Sequence, residues 1–181
     1  NPLILGDSSI CMGNSGYLFV NTNDQINWFN GSSDDSILIN PMNNRTYSVI
    51  LENNFNCTAS DSIDVIVNPL PNASIAGDTV ICEGGVSTLV AAGGVDFQWS
   101  NNATNGTISV TPLSTQSYSV TVTDGNGCSD ISQKTVVVNP LPGASISAVD
   151  TICPGDSVTL SAFGGVSYEW NTGATTSSIS Q

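Results

Sequence analysis

The sequence predicts an all-β fold of small tandem immunoglobulin-like β-sandwich modules. Three observations carry that prediction. Charged residues are only 9% of the 181, while Ser, Thr, Asn, Gly and Val are abundant and the helix formers Lys, Glu, Arg and Met are scarce. Propensity therefore leans to strand and turn. Landmark residues recur every 71 positions along the whole chain. Within each period, β-branched or alternating runs are separated by turn signals about every 8–12 residues, the pattern of a sandwich.

The repeat is ungapped. Cys11, Cys82 and Cys153 keep the 71-residue step, and so do Trp28, Trp99 and Trp170. Gly13/Gly84/Gly155, Leu18/Leu89/Leu160 and Ile37/Ile108/Ile179 follow it, as do Tyr47/Tyr118 and Cys57/Cys128. Asn-Pro-Leu-Pro at Asn68–Pro71 returns at Asn139–Pro142. Two prolines remove backbone donors and stiffen the chain, so this tetrapeptide reads as a semi-rigid linker. The expected layout is 1–67, 68–138, and the N-terminal part of a third module over 139–181. Half a β-module cannot close its core. The parent chain is therefore expected to continue; completion by strands of a neighbouring chain is the alternative.

The second period justifies each element. Strand runs are expected at 73–81, 86–92, 95–100, 106–111, 116–123 and 132–139. Between them lie Glu83-Gly84-Gly85, Gly93-Gly94, Asn101-Asn102, Pro112-Leu113-Ser114 and Asp124-Gly125-Asn126-Gly127. The run from Tyr118 to Thr123 alternates cleanly, so one face is buried and one is wet. Trp99, with Trp28 and Trp170, is expected in the core, its ring N–H needing a partner.

Cys11/Cys57 and Cys82/Cys128 are each 46 apart. This spacing predicts two disulfides inside modules, with the partner of Cys153 beyond the fragment. Free, buried cysteines are the alternative. Disulfides imply an oxidising compartment. A conflict arises at once. Six strictly alternating strands put turns 82–85 and 124–127 at one end, as the bridge requires, but they put both termini at one end too. A linear array needs an extra reversal, at Gly77-Asp78 or within 101–106.

Charge and chemistry narrow the function classes. Two basic residues, Arg45 and Lys134, face 15 acidic ones, for a net charge of −13. No cation stripe exists to displace phosphate counterions or to dock on anionic lipid, so no nucleic-acid partner is expected. No apolar run reaches the ~20 residues of a membrane span, so no membrane insertion is expected in this segment. The chain has no His, which removes His-based triads and dyads. Paired carboxylates such as Asp34-Asp35 sit in a Ser-rich turn. The expectation is a non-enzyme without cofactors. Asp124, Asn126 and Asp130 offer alternating oxygens to calcium, weighed against a plain Asn-Gly hairpin turn. Zinc lacks both His and close Cys pairs.

The run from Ile152 to Ala162, the run from Gly164 to Thr176, and Tyr118–Ser129 followed by Asn139-Pro-Leu-Pro resemble the Ig-like and PKD-like repeats of giant Bacteroidetes surface proteins. They are similar in particular to gliding-motility adhesins of the SprB type, exported by type IX secretion. In the first module Asn53-Asn-Phe-Asn-Cys57 replaces the Asp-Gly-Asn-Gly-Cys turn. The resemblance implies an extracellular, cell-surface location and function by reach and contact. The partners it implies are neighbouring modules and cell-surface or substratum contacts. It also implies O-glycosylation where Asp precedes Ser or Thr and then an aliphatic residue, at Ser36, Ser62, Thr79, Thr151 and Ser157. Spacer modules of a secreted polysaccharide-degrading enzyme are a competing reading. A lectin-like module is another, and it would need exposed aromatics.

Overall fold

The computed structural model describes residues 3–147 and 151–180. Among them are seventeen strands and no helix. The first period contributes β1 (Ile4–Gly6), β2 (Ser9–Cys11), β3 (Gly16–Val20), β4 (Gln25–Trp28), β5 (Ser36–Ile39), β6 (Arg45–Glu52) and β7 (Thr58–Asn68). One sheet has the order β1-β3-β5 and the other β2-β7-β6-β4. The second period repeats this with β8 (Ser74–Gly77), β9 (Val80–Cys82), β10 (Ser87–Ala92), β11 (Asp96–Trp99), β12 (Thr107–Val110), β13 (Gln116–Thr123) and β14 (Ser129–Asn139). Its sheets run β8-β10-β12 and β9-β14-β13-β11. Both periods are immunoglobulin-like two-sheet sandwiches.

Alternation decides what fills each sandwich. Along β3, Gly16, Leu18 and Val20 are buried while Tyr17 and Phe19 face out. Along β13, Tyr118, Val120 and Val122 are buried. The first core gathers Leu18, Trp28, Ile37, Tyr47, Val49 and Val65. The second gathers the residues 71 positions on that the repeat preserves, Leu89, Trp99, Ile108, Tyr118, Val120 and Val136. Each Trp ring N–H finds a carbonyl six residues ahead. Trp28 Nε1 donates to Asp34 O at 2.9 Å, and Trp99 Nε1 to Asn105 O at 2.8 Å. The indole is thus buried without an orphaned donor.

The run 73–81 is divided. At Gly77 the chain leaves one sheet for the other: β8 pairs with β10, and β9 pairs with β14. Gly77 has φ +125°, and a Cβ there would stand 2.0 Å from Thr88 O. Gly6 does the same at φ +126°, 2.1 Å from Tyr17 O. Only glycine tolerates both the dihedral and the approach. The switch keeps direction. Ile4 N donates to Asp61 Oδ2 at 2.9 Å, while Cys11 lies opposite Asn68. Seven residues on each strand separate those two contacts, so 4–11 runs parallel to 61–68.

The extra reversal lies within 100–106. Strand β11 is antiparallel to β13, which is antiparallel to β14, and β9 is parallel to β14. Strand β12 shares the direction of β8, because both are antiparallel to β10. Strands β11 and β12 therefore point the same way, and the chain doubles back between them. Trp99 N donates to Ala103 O at 2.8 Å and Asn102 N to Trp99 O at 2.9 Å, which closes a turn with Asn102 at φ 67°. Asn visits this left-handed region more readily than most residues. Each module thus receives the chain at a leading end and releases it at the opposite, trailing end.

Among the described residues the third period forms a single sheet, β15 (Ser145–Ile146), β16 (Thr159–Phe163) and β17 (Ser178–Ser180), in that order. Leu160, Trp170 and Ile179 are only partly buried there, where Leu89, Trp99 and Ile108 are closed over by a second sheet. The Trp turn still forms: Trp170 Nε1 donates to Thr176 O at 2.8 Å. That turn is therefore a local product of sequence, and burial comes only with the second sheet.

Substituting Gly77→Ala places a methyl against Thr88 O and strains a positive φ. Equilibrium unfolding followed by tryptophan fluorescence is expected to show a loss of roughly 2–4 kcal/mol. Gly125→Ala meets nothing within 4 Å and is expected to stay within about 0.5 kcal/mol of the parent.

Candidate functional site

The chemistry-bearing feature of the described residues is the junction between the first two modules. Two recurring turns build it. At the trailing end, Asn14 N donates to Cys11 O at 3.0 Å, with Gly13 at φ 85°. This turn fixes Cys11 where β2 ends, and the ladder runs one step further as Met12 N donates to Asn68 O at 2.8 Å. Cys11 is held beside the start of the Asn-Pro-Leu-Pro linker.

At the leading end of the next module, Asp124 organises the β13–β14 turn. Its Oδ1 accepts from Asn126 N and from Cys128 N, both at 2.9 Å. Gly127 supplies φ 82°. In the first module Asn53 does the same work. Its Oδ1 accepts from Phe55 N at 2.9 Å and Cys57 N at 3.1 Å, with Asn56 at φ 58°. Asp and Asn both cap turns through a side-chain oxygen, so the sequence departure at this turn leaves its geometry intact.

The two turns meet across the junction. Cys11 and Cys128 form a disulfide, with Cα atoms 5.5 Å apart and 117 residues between them in sequence. Cys128 is fully buried. Cys57, Cys82 and Cys153 are unpaired and exposed. The expected bridges Cys11–Cys57 and Cys82–Cys128 are therefore corrected, and the reason is distance. Cys11 lies opposite Asn68, the last residue of β7, while Cys57 precedes its first residue. Eleven residues of strand at ~3.3 Å each put the two near 35 Å apart. A disulfide tolerates Cα separations of about 7 Å at most. Cys82 lies opposite Asn139 and Cys128 precedes β14, so the same span divides them. The alternative of free, buried cysteines fails as well, since the three free thiols are exposed. Closing a loop of this length stabilises the linked pair of modules by about 5 kcal/mol in the chain-entropy model.

The other sequence-derived residues are spread apart. Trp28 and Trp99 lie inside the two cores, and Trp170 lies outside the strands of the third period, partly buried. Asp124 is engaged with the turn amides, whereas Asp130 Oδ2 accepts from Ala73 N at 3.3 Å on the linker side. Among the described residues, no three His, Cys, Asp or Glu side chains are placed to share a metal ion. Ser36, Ser62, Thr151 and Ser157 are exposed and Thr79 is half-buried. Asp150, which precedes Thr151, lies outside the described residues.

Sequence reasoning missed the partner choice of Cys11. The signal was present in the requirement that a linear array release its chain opposite to where it receives it. That requirement separates the two cysteines of one module and brings together those of adjacent modules.

Replacing Asp124 by Ala leaves two turn amides without their acceptor beside a buried disulfide. Denaturation is expected to show a loss of about 1–3 kcal/mol. Asp124→Asn, which copies Asn53, is expected to retain most of the parent stability.

No protein-family model and no curated protein matches the sequence. Solved structures similar to the chain include a C-terminal fragment of intimin in complex with the intimin-binding domain of the translocated intimin receptor. Identity there is 13%, over 81% of this chain and 66% of that one, with a TM-score of 0.43. A Ca2+-stabilised adhesin that helps an Antarctic bacterium reach out and bind ice aligns at 11% identity, over 90% of this chain and 57% of that one, with a TM-score of 0.42. Murine CEACAM1b aligns at 12% identity, over 77% of this chain and 100% of that one, with a TM-score of 0.36. At scores of this size the fold rests on the strand pairing described above.

Proposed function

We propose that this chain belongs to the structural repeat region of a long extracellular adhesin or surface fibre, with modules at 1–67, 68–138 and 139–181. The observation that carries the reading is the Cys11–Cys128 bridge between consecutive modules. Each module releases the chain opposite to where it receives it, and the bridge ties one module's trailing end to the next one's leading end. Modules joined this way supply reach. A disulfide of this kind persists in an oxidising compartment, which fits the cell exterior. The resemblance to gliding-motility adhesins points the same way. Burial of Trp28 and Trp99 removes two of the repeated aromatics that a sugar-binding surface would need.

The bridge also sets the path of tension. From Leu3 the shortest covalent route runs to Cys11, across the sulfurs to Cys128, and out along β14. The residues between the two cysteines lie off that route. Fully extended, the 117-residue separation corresponds to roughly 400 Å of chain.

Single-molecule stretching of the full chain between its ends tests this. The oxidised chain is expected to withhold roughly 400 Å of extension that a thiol reductant then releases. Equal extension in both states would remove the braced-spacer function. Tight binding of the isolated chain to a glycan array would transfer the function to sugar recognition.

A further inference from the structure

Three exposed thiols remain, and all three are periodic counterparts of the bridged pair, Cys82 and Cys153 of Cys11 and Cys57 of Cys128. Cys82 stands 71 residues after Cys11, and Cys57 stands 71 residues before Cys128. The likeness extends to geometry. Cys82 lies opposite Asn139 as Cys11 lies opposite Asn68. Gly85 N closes the turn on Cys82 O at 2.9 Å, and Gly84 has φ 80°. Cys57 is seated by Asn53 as Cys128 is by Asp124. What differs is the neighbour. Cys128 meets the trailing end of a module and is fully buried, while Cys57 meets none and is exposed.

We propose that Cys11–Cys128 is one rung of a disulfide ladder that forms at every junction between complete modules, in which Cys82 takes the second cysteine of a following module and Cys57 the first cysteine of a preceding one. The proposal rests on the junction and stands whether or not the array is adhesive. Each rung forms when two thiols reduce a disulfide oxidant. With oxidised glutathione, the products are one protein disulfide and two molecules of reduced glutathione.

Two interleaved load paths follow. One passes from the first strands of a module through its rung into the last strand of the next module, and then into the first strands of the one after. The second path is the same, offset by one module. Each path takes one strand of every parallel pair, β2 then β14 or β7 then β9, and leaves the interior strands of each sandwich outside the line of tension.

The test is the full chain with residues 68–138 duplicated in tandem, so that a complete module follows the first copy of Cys82. The duplication raises five cysteines to seven. After refolding with oxidised and reduced glutathione, alkylation and intact mass are expected to report three thiols. Five thiols alongside a formed Cys11–Cys128 bridge would overturn the proposal. Cys82→Ser distinguishes a rung from a bridge inside the added module. In the first copy it is expected to raise the thiol count to four; in the second copy it is expected to lower it to two. The reverse pattern would also overturn the proposal. A second chain guards against misfolding of the insert: a copy of 111–138 placed after Gln181 completes the third period, with burial of Trp170 as the sign of closure. It has six cysteines and is expected to keep two thiols, Cys57 and Cys153. Four thiols with Trp170 buried would count against the ladder as decisively.

Discussion

The parallel pairing of each module's first strand with its last governs the rest of the molecule. Because β2 lies parallel to β7 and β9 to β14, both complete modules begin and end at opposite ends. Most hairpin-built sheets have antiparallel neighbours throughout. Here two devices produce the exception. A glycine moves the first strand from one sheet to the other without turning it, and a doubled turn after the core Trp adds one reversal. Remove either device and the chain would leave at the wrong end or lose a strand from the four-stranded sheet. Disulfide partners and linker placement both follow from this one arrangement.

The turns that hold the arrangement are short and locally encoded. The left-handed positions recur as Gly31, Asn102 and Gly173 after the Trp, and as Asn56 and Gly127 before the second cysteine. Glycine and asparagine exchange at both, since either one accepts a positive φ at small cost. Asn53 and Asp124 exchange for a parallel reason, each offering one side-chain oxygen to two amides. The third period shows how far such encoding goes by itself. Its Trp turn closes with the same hydrogen bond, yet its apolar face stays partly open, with no second sheet over it among the described residues. Local chemistry shapes the turns, and burial by the opposite sheet supplies the cohesion.

Much of this was legible in the sequence, and the boundary of legibility is physical. Alternation marked the buried residues of β13, and Gly-rich or Asn-rich dipeptides marked the turns. The 71-residue step aligned the two cores before any strand was placed. Gly77-Asp78 was legible as a break in the run 73–81, but its nature was not: composition does not separate a reversal from a change of sheet that keeps direction. Strand β14 begins at Ser129, earlier than the expected 132, since its polar start pairs along β13 through backbone and a Thr123–Ser129 hydroxyl contact rather than through apolar alternation. The cysteine pairing was misread because equal spacing in sequence was taken for proximity in space. Two cysteines 46 residues apart can face one another or lie a strand length apart. Direction decides between these, and the number of reversals was the one quantity that periodicity left open.

A bridge inside each module would have strengthened each bead and left the connections as they were. A bridge between modules acts on the connection. A Pro linker resists bending only through the stiffness of a few residues. A second covalent tie beside it converts a single point of attachment into two. Relative rotation about the linker is then opposed by the disulfide, and rotation about the disulfide by the linker. The unfolded ensemble of two modules is also narrowed together, so that loss of one fold is coupled to its neighbour through a shared loop. For a chain whose modules are each near the lower size limit for an independent core, placing the cross-link at the junction stabilises the beads and the string at once. An intramodule staple could do only the first.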